Sequence, residues 1–291
     1  MQAPLFDKYF TPQGLKFIDT AICLALDEDG AELTSQAVFS PHHPLRACIL
    51  AKQETLVVGL PLIARILHIH GQGGELALLV DEGSMVNAGT EVALLRGPAP
   101  TLLKIERIAL NFICHLSGIA NLTRQYVHQL EGTGVALLDT RKTLPGLRWP
   151  EKYAVCLGGG RNHRRNLEEM LMLKDNHIDA AGSIHAAVLR LRTRYGANCP
   201  PIEVECRTCN DVREAVACTV DRVMMDNMDI PQLSAALALV PANIEAEISG
   251  GVTLENIRQL AHIGPRRANF ISVGRLTHSA IAADFSMNIK D

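Results

Sequence analysis

Residues 201–251, "PIEVECRTCNDVREAVACTVDRVMMDNMDIPQLSAALALVPANIEAEISGG", set three short apolar runs, "PIEVEC", "DRVMMD" and "IEAEIS", between longer stretches that fit helices. Strand and helix alternating at this spacing read as a parallel α/β sheet, in which each helix carries the chain back to begin the next strand. The alternation extends both ways: "VALLDT" (135–140) and "MLMLKD" (170–175) precede it and "NFISVG" (269–274) follows. Six such units in sequence favour a barrel over an open sheet. Two connecting helices carry end signals. "SIHAAVLRLRTRYG" (183–196) opens on a capping serine and closes on glycine; "TLENIRQLAHIG" (253–264) opens on Thr-x-x-Asn, close to a capping box, and also closes on glycine.

Upstream the pattern changes. Extended segments "RACILAKQETLVVG" (46–59) and "TEVALLRG" (90–97) flank the turn-rich "DEGSMVNAGT" (81–90), so Met1 to about Pro98 reads as a smaller α+β domain. A long helical stretch, "TLLKIERIALNFICHLSGIANLTRQYVHQL" (101–130), links it to the barrel. Without a low-complexity linker the domains are expected to be packed rather than tethered.

Each expected barrel strand ends in polar residues or glycine. Asp139, Arg141 and Lys142 follow the first, Lys174 and Asp175 the second, and Glu205 lies on the third; Asp226 ends the fourth, Ser249, Gly250 and Gly251 the fifth, and Gly274 the sixth. The C-terminal face of such barrels carries the active site, so an enzyme is expected. The window Arg141–Lys174 gathers eight Lys and Arg against three acids in a chain of net charge −3. Arg141, Lys142, His163, Arg164 and Lys174 would converge on that face, and so many cations repel one another unless an anion joins them. Planar Arg forks suit carboxylates or phosphates, which points to a multiply anionic substrate.

"SGG" (249–251) and "SVGRLTHS" (272–279) are glycine turns read as leading into helices, whose exposed N–H groups bind phosphate. Carboxylates at strand ends, Glu205 and Asp226, can bind Mg²⁺ or stabilise a cationic intermediate, and the "IEVEC" pattern puts Glu203 on the same strand face as Glu205. Anion pocket, phosphate cradle and carboxylates together suit transfer of a phosphorylated sugar.

Composition closes off other classes. With 47% hydrophobic and 20% charged residues the chain is an ordinary globular protein, and a pI near 6.4 argues against a nucleic-acid binder. No apolar run is long enough to span a bilayer and "MQAPLFDKYF" lacks a signal core, so a cytoplasmic protein is expected. The eight cysteines sit mostly in apolar stretches and read as buried thiols; "CRTC" (206–209) has metal-like spacing but no second close pair to complete a zinc site.

Taken together, "DTRKTLPGLRWPEKYAVCLGGGRNHR", "LKDNHI", "EVE", "DN" after "VMM", "SGG", "SVGRLTHSA" and "ERIALNFICHLSGIA" resemble the quinolinate phosphoribosyltransferase family, also called nicotinate-nucleotide pyrophosphorylases, nearly end to end. The resemblance implies an α/β protein: an N-terminal open α/β sandwich (1–110), on which the C-terminal tail (280–291) packs back, and an incomplete parallel α/β barrel (111–279). It implies that quinolinate and phosphoribosyl pyrophosphate give nicotinate mononucleotide, pyrophosphate and CO₂ with Mg²⁺, in the de novo route to NAD. It also implies a homodimer with shared active sites, or an assembly of such dimers. Carried over by position, Arg141, His163, Arg164 and Lys174 would hold the quinolinate carboxylates, with Arg107 reaching in from the partner. Lys142 would lie by the pyrophosphate, Glu205 and Asp226 by the ribose and metal, and Ser249, Gly250 and Gly274 by the 5-phosphate. Two departures stand out: Glu32 where Asp is usual before Leu-Thr, and Trp149-Pro150 where two aliphatic residues are usual.

Other readings remain open at this level. A related group linked to molybdenum metabolism shares the fold and much of the motif set. A Schiff-base aldolase would use Lys174 as its nucleophile, given a depressed pKa. A phosphate or zinc sensor would use the glycine turns or "CRTC" without turnover.

Overall fold

The computed structural model describes residues 4–290. The chain divides into two compact units: Met1–Arg124, Thr143–Gly159 and Arg275–Asp291 form the first, and Gln125–Lys142 with Gly160–Gly274 form the second.

Unit 1 begins with helices α1 (Pro4–Tyr9), α2 (Pro12–Glu28) and α3 (Leu33–Val38). Strands β1 (Pro44–Ala51) and β2 (Thr55–Leu56), helix α4 (Leu60–His70) and strands β3 (Glu75–Leu78), β4 (Met85–Val86) and β5 (Glu91–Pro98) follow. Ala47 and Ile49 of β1, Ile18 and Ile22 of α2 and Ile63 and Ile66 of α4 are buried, so one face of the sheet and the helices share a core. Each such aliphatic side chain gains roughly 1.5–3 kcal/mol over an exposed one. Glu32, the first departure, caps α3: its Oε1 accepts the Ser35 N–H at 2.8 Å, a task Asp also performs. Helix α5 (Ala99–Leu130) then runs unbroken for 32 residues, and the expected domain division at 110/111 lies inside it.

Unit 2 opens with β6 (Ala136–Leu138). The chain returns to unit 1 for α6 (Arg148–Leu157), where Trp149 lies against Gly14 so closely that a Cβ there would be 2.7 Å from the indole. Tyr9 and Phe10 flank the same indole, and this aromatic group accounts for Trp149 in the second departure.

Back in unit 2 come β7 (Leu171–Leu173), α7 (Asp175–Ala181), α8 (Ile184–Tyr195), β8 (Ile202–Cys206), α9 (Cys209–Ala217), β9 (Arg222–Asp226), α10 (Ile230–Leu239), β10 (Glu245–Ser249), α11 (Ile257–Leu260) and β11 (Phe270–Ser272). All six expected strands form. They are parallel in the order β6-β11-β10-β9-β8-β7, a barrel open between its first and second strands. Val204, Val223, Met225, Ala246, Ile248 and Ile271 are buried on one side of the strands, as are Val212 and Ala215 of α9 and Leu233 and Leu237 of α10. Residues of opposite parity, including Glu203, Glu205, Met224, Asp226, Glu247 and Ser249, point inward.

Ser183 caps α8 as expected, its Oγ accepting the Ala186 N–H at 3.0 Å. The helix expected over 253–264 shrinks to the single turn of α11. Asn256 takes the Thr253 N–H at 2.8 Å and donates to Gly251 O at 3.0 Å, so its side chain holds a loop where the helix would have started.

Unit 1 is completed by α12 (Arg275–His278) and β12 (Phe285–Lys290). β12 pairs antiparallel with β1, Ala47 opposite Ile289, giving a four-stranded sheet β12-β1-β5-β3. No helix among the described residues is long and apolar enough to cross a membrane.

Candidate active site

The site is built from the open seam of the barrel. Between α6 and β7 the chain runs beside β6: Arg161 N–H donates to Leu137 O at 2.8 Å, and Asp139 N–H donates to Arg161 O at 3.1 Å. Asp139, fully buried just after β6, accepts the His163 N–H on Oδ1 at 2.8 Å and the Asn162 Nδ2 on Oδ2 at 2.7 Å.

His163 is buried. Its Nδ1 accepts the Arg164 N–H at 2.8 Å, so that nitrogen carries no hydrogen and the ring proton sits on Nε2. Nε2 in turn is 2.9 Å from Glu203 Oε2 and 3.7 Å from Glu247 Oε2, so its N–H faces both carboxylates without the alignment of a hydrogen bond. Glu247 Oε2 accepts Arg222 Nη1 at 3.1 Å, while Arg222 also binds Glu245 and lies 4.3 Å over the Phe270 ring. Burial, and after it the adjacent Glu203 charge, raises the pKa of Glu247.

Beside this cluster lies a cavity of about 440 Å³. Arg141, Lys142, His163, Arg164, Lys174, Glu205, Asp226, Ser249 and Gly250 line it. Nine of the eleven residues expected at the site therefore meet in one space. The other two do not. Arg107 is exposed on α5, in unit 1, and Gly274 is absent from the lining, which holds Ser272 instead.

Electrostatics in the cavity are unbalanced. Arg141 Nε is buried without a hydrogen-bond partner, and Arg164 Nη1 donates to Met170 O at 2.8 Å. Burial, then the charge of Arg141, lowers the pKa of Arg164, so two like charges stand close together here and one of them has a buried N–H without a partner. Across the cavity Lys174 Nζ donates to Glu205 Oε2 at 3.1 Å, and Asn227 Nδ2 donates to Asp226 Oδ2 at 2.7 Å.

Gly250 has a close-packed reason to be glycine. Its φ is +89° and a Cβ would stand 2.2 Å from Asn227 Oδ1. Asn227 itself is left-handed at φ 54°. Of the two helices expected after the glycine turns, α12 starts directly after Gly274, as expected, and α11 only at Ile257; each is a single turn.

Asp139, Thr140, Asn227, Glu247 and Ser272 also stand in or against the site, without a role assigned from the sequence. For Glu247 a signal existed: it precedes Ser249 by two residues, the same parity that singled out Glu203 beside Glu205. Asp139 was visible as a strand end, but its grip on residue 163 is a tertiary contact.

The aldolase and sensor readings find little in this geometry. Lys174 is exposed and ion-paired, not desolvated in an apolar pocket. Neither Cys206 nor Cys209 joins a metal-sized group of His, Cys, Asp or Glu among the described residues, and Cys206 is buried.

The chain is similar to known proteins along most of its length. Family models described as the N-terminal and C-terminal domains of quinolinate phosphoribosyl transferase match residues 32–117 and 119–288. A probable nicotinate-nucleotide pyrophosphorylase [carboxylating] of Bacillus subtilis is 42% identical over 258 residues, covering 89% of this chain and 88% of the relative. A mitochondrial quinolinate phosphoribosyltransferase [decarboxylating] of Nicotiana glauca is 35% identical over 286 residues, covering 91% and 80%. The crystal structure of NadC from Streptococcus pyogenes superimposes with a TM-score of 0.87 at 35% identity, over 97% of this chain and 99% of the other.

Proposed function

The chain belongs to the quinolinate phosphoribosyl transferase family, and on that premise we propose how its residues divide the work. The reaction is phosphoribosyl transfer from phosphoribosyl pyrophosphate to quinolinate with decarboxylation, giving nicotinate mononucleotide, pyrophosphate and CO₂. The observation that carries the assignment of roles is the pair Arg141 and Arg164: neighbouring guanidinium groups lining one cavity, one with a buried Nε that has no partner. A pyridine with two adjacent carboxylates supplies the missing acceptors in matching geometry.

Arg141, Arg164 and Lys174 bind those carboxylates in our reading. Lys174 is free to exchange its Glu205 partner for substrate because water already reaches it. His163, with both ring nitrogens turned to protein groups, serves from behind Arg164. Glu205 and Asp226 face the ribose, where negative charge stabilises the oxocarbenium-like carbon formed as the bond to pyrophosphate breaks. Lys142, exposed on the cavity wall, offsets charge growing on the leaving pyrophosphate. Ser249 and Gly250, with Gly274, receive the 5-phosphate. Once the ring nitrogen is ribosylated, the pyridinium takes the electron pair released with CO₂ and the vacated carbon takes a proton. The protein's task in that step is to hold the carboxylate in place.

Glu205 and Asp226 each have one carboxylate oxygen committed to a neighbour, Lys174 or Asn227, and the other open to a cation. Hard oxygen donors of this kind fit Mg²⁺, which binds through one or two carboxylates and substrate phosphates. When bound there it would neutralise charge on the pyrophosphate.

We further propose a homodimer in which Arg107, exposed on α5, enters the partner's cavity. A phosphorylated substrate and eight free cysteines both suit a reducing, cytoplasmic setting. Incubating the purified protein with quinolinate, phosphoribosyl pyrophosphate and Mg²⁺ should yield nicotinate mononucleotide and CO₂ in equal amounts; no product would remove the reading.

A further inference from the structure

Asp139 and Glu203 are outside the cavity lining, yet they grip the segment that delivers Arg164 to it from two sides. That segment lies at the open seam. β6 and β7 are the outer strands of the six-stranded sheet, and the segment meets β6 through one isolated bridge, Leu138 to Arg161, in place of a continuous ladder. A ladder would fix each residue by its own backbone; a single bridge leaves the positions beyond Arg161 to side chains.

Asp139, at the end of β6, takes two donors at once: the His163 N–H and the Asn162 side-chain amide. Glu203, 0% exposed on β8, stands 2.9 Å from the Nε2 that carries the imidazole proton. The other ring nitrogen is occupied by the Arg164 N–H, and Arg164 Nη1 reaches Met170 O just before β7. A continuous run of contacts thus links three strands through one imidazole. Glu247 completes the cluster and accepts Arg222 Nη1 at 3.1 Å, while Glu203 is the carboxylate nearest the histidine. His163, Glu203 and Glu247 are close enough together to bracket a cation, but the guanidinium on Glu247 and the amide on Nδ1 oppose one.

We infer that Asp139 and Glu203 are positioning residues for quinolinate binding, acting through His163 to fix the Arg164 backbone and so the aim of its guanidinium. The inference rests on the carboxylate-binding role of Arg164 proposed above. Loss of Asp139 takes that acceptor from the buried His163 N–H and the Asn162 amide, and loss of Glu203 removes the buried carboxylate that faces the Nε2 proton, so in either case the segment relaxes. The affected quantity is the fit to one substrate, since the residues assigned to phosphate and ribose, Lys142, Glu205, Asp226, Ser249, Gly250 and Gly274, all lie outside the segment 160–170.

Wild type is assayed first with quinolinate, phosphoribosyl pyrophosphate and Mg²⁺, then Asp139→Ala, Glu203→Ala, Asp139→Asn and Glu203→Gln. Hydrogen exchange is followed across the chain in parallel. Partners standing behind metal ligands control affinity by about 10–100-fold, and by the same logic of orientation each alanine variant should raise the quinolinate KM about 10-fold or more while the phosphoribosyl pyrophosphate KM moves little. Each amide variant keeps one oxygen acceptor and should fall between wild type and alanine. Exchange should quicken in peptides covering residues 160–170 and stay unchanged in β9 and β10. Should an alanine variant not fold, the exchange of its amide counterpart decides. Equal rises in both KM values, exchange spread over the whole barrel, or no change at 160–170 would overturn the inference. A wild type that makes no nicotinate mononucleotide would instead sink the quinolinate reading, while the exchange data still judge the clamp.

Discussion

Lys174 Nζ donates to Glu205 Oε2 across 3.1 Å, joining the ends of the adjacent strands β7 and β8 on the cavity wall. The lysine side chain is 47% exposed and the glutamate 15%, so water competes for the pair and its contribution to folding is only about 0–1 kcal/mol. Lys174→Met should leave the unfolding free energy within that range and weaken quinolinate binding. Glu205→Gln should instead lower kcat and raise the Mg²⁺ concentration for half-maximal rate. Denaturant titration beside steady-state kinetics separates the two; a large stability loss would make the pair structural.

Arg141→Ala should weaken quinolinate binding by roughly 2–5 kcal/mol, as when one member of a buried charge pair is truncated. Nicotinate, lacking one carboxylate, should not be turned over, because it leaves buried donors unpaired. Calorimetry showing near-normal affinity would remove Arg141 from the site.

Gly250→Ala combines an unfavourable φ of +89° with a Cβ 2.2 Å from Asn227 Oδ1 and 2.8 Å from Asn227 N. Because Asn227 holds the Asp226 carboxylate, the variant should lose kcat and affinity for phosphoribosyl pyrophosphate more than for quinolinate. Gly251→Ala, at φ +62° but facing open space, should be milder. Equal effects of the two would mean that backbone strain, not the Asn227 contact, matters.

Glu247 titrates above its ordinary value of 4.5, chiefly because it is buried and next because Glu203 is near. The folded state therefore keeps a proton that the unfolded chain releases. Stability from this group is highest below 4.5 and declines as pH rises through that value towards the raised one. Glu247→Gln should flatten this decline in unfolding free energy measured from pH 4.5 upward; an unchanged slope would assign it to other groups.

The dimer proposal gives a quantitative test. Arg107→Ala and Lys142→Ala homodimers should each be nearly inactive. If Arg107 enters the partner's site, a mixed dimer has one site with both defects and one with neither. With random exchange half the dimers are mixed, and activity should return to about a quarter of wild type. No recovery after exchange verified by native mass spectrometry would place Arg107 in its own chain's site or outside the chemistry.

What was readable in the amino-acid order is what local chemistry decides. All six barrel strands follow from apolar runs, and Glu205, Asp226 and Ser249 follow from strand ends, because period-two alternation and the end of a strand are properties of consecutive residues. The anion pocket was legible as a charge excess between Arg141 and Lys174. The stretch 253–264 departs from the helix its end signals predict because Asn256 has a backbone partner within reach, and a loop satisfies it as well as a helix could.

Tertiary structure decided how deep each inward residue lies and whom it meets. Glu203 and Glu205 share a strand face, yet one is sealed against His163 and the other pairs with Lys174 on the cavity wall. Parity along one strand carries no information about its position across the barrel; the register between strands sets it. Asp139 and His163, 24 residues apart, meet because the barrel lacks a ladder at its seam and a carboxylate takes the amide that a strand would have held. Sequence order names the groups that can make such a contact, and only the closing of the sheet brings them together.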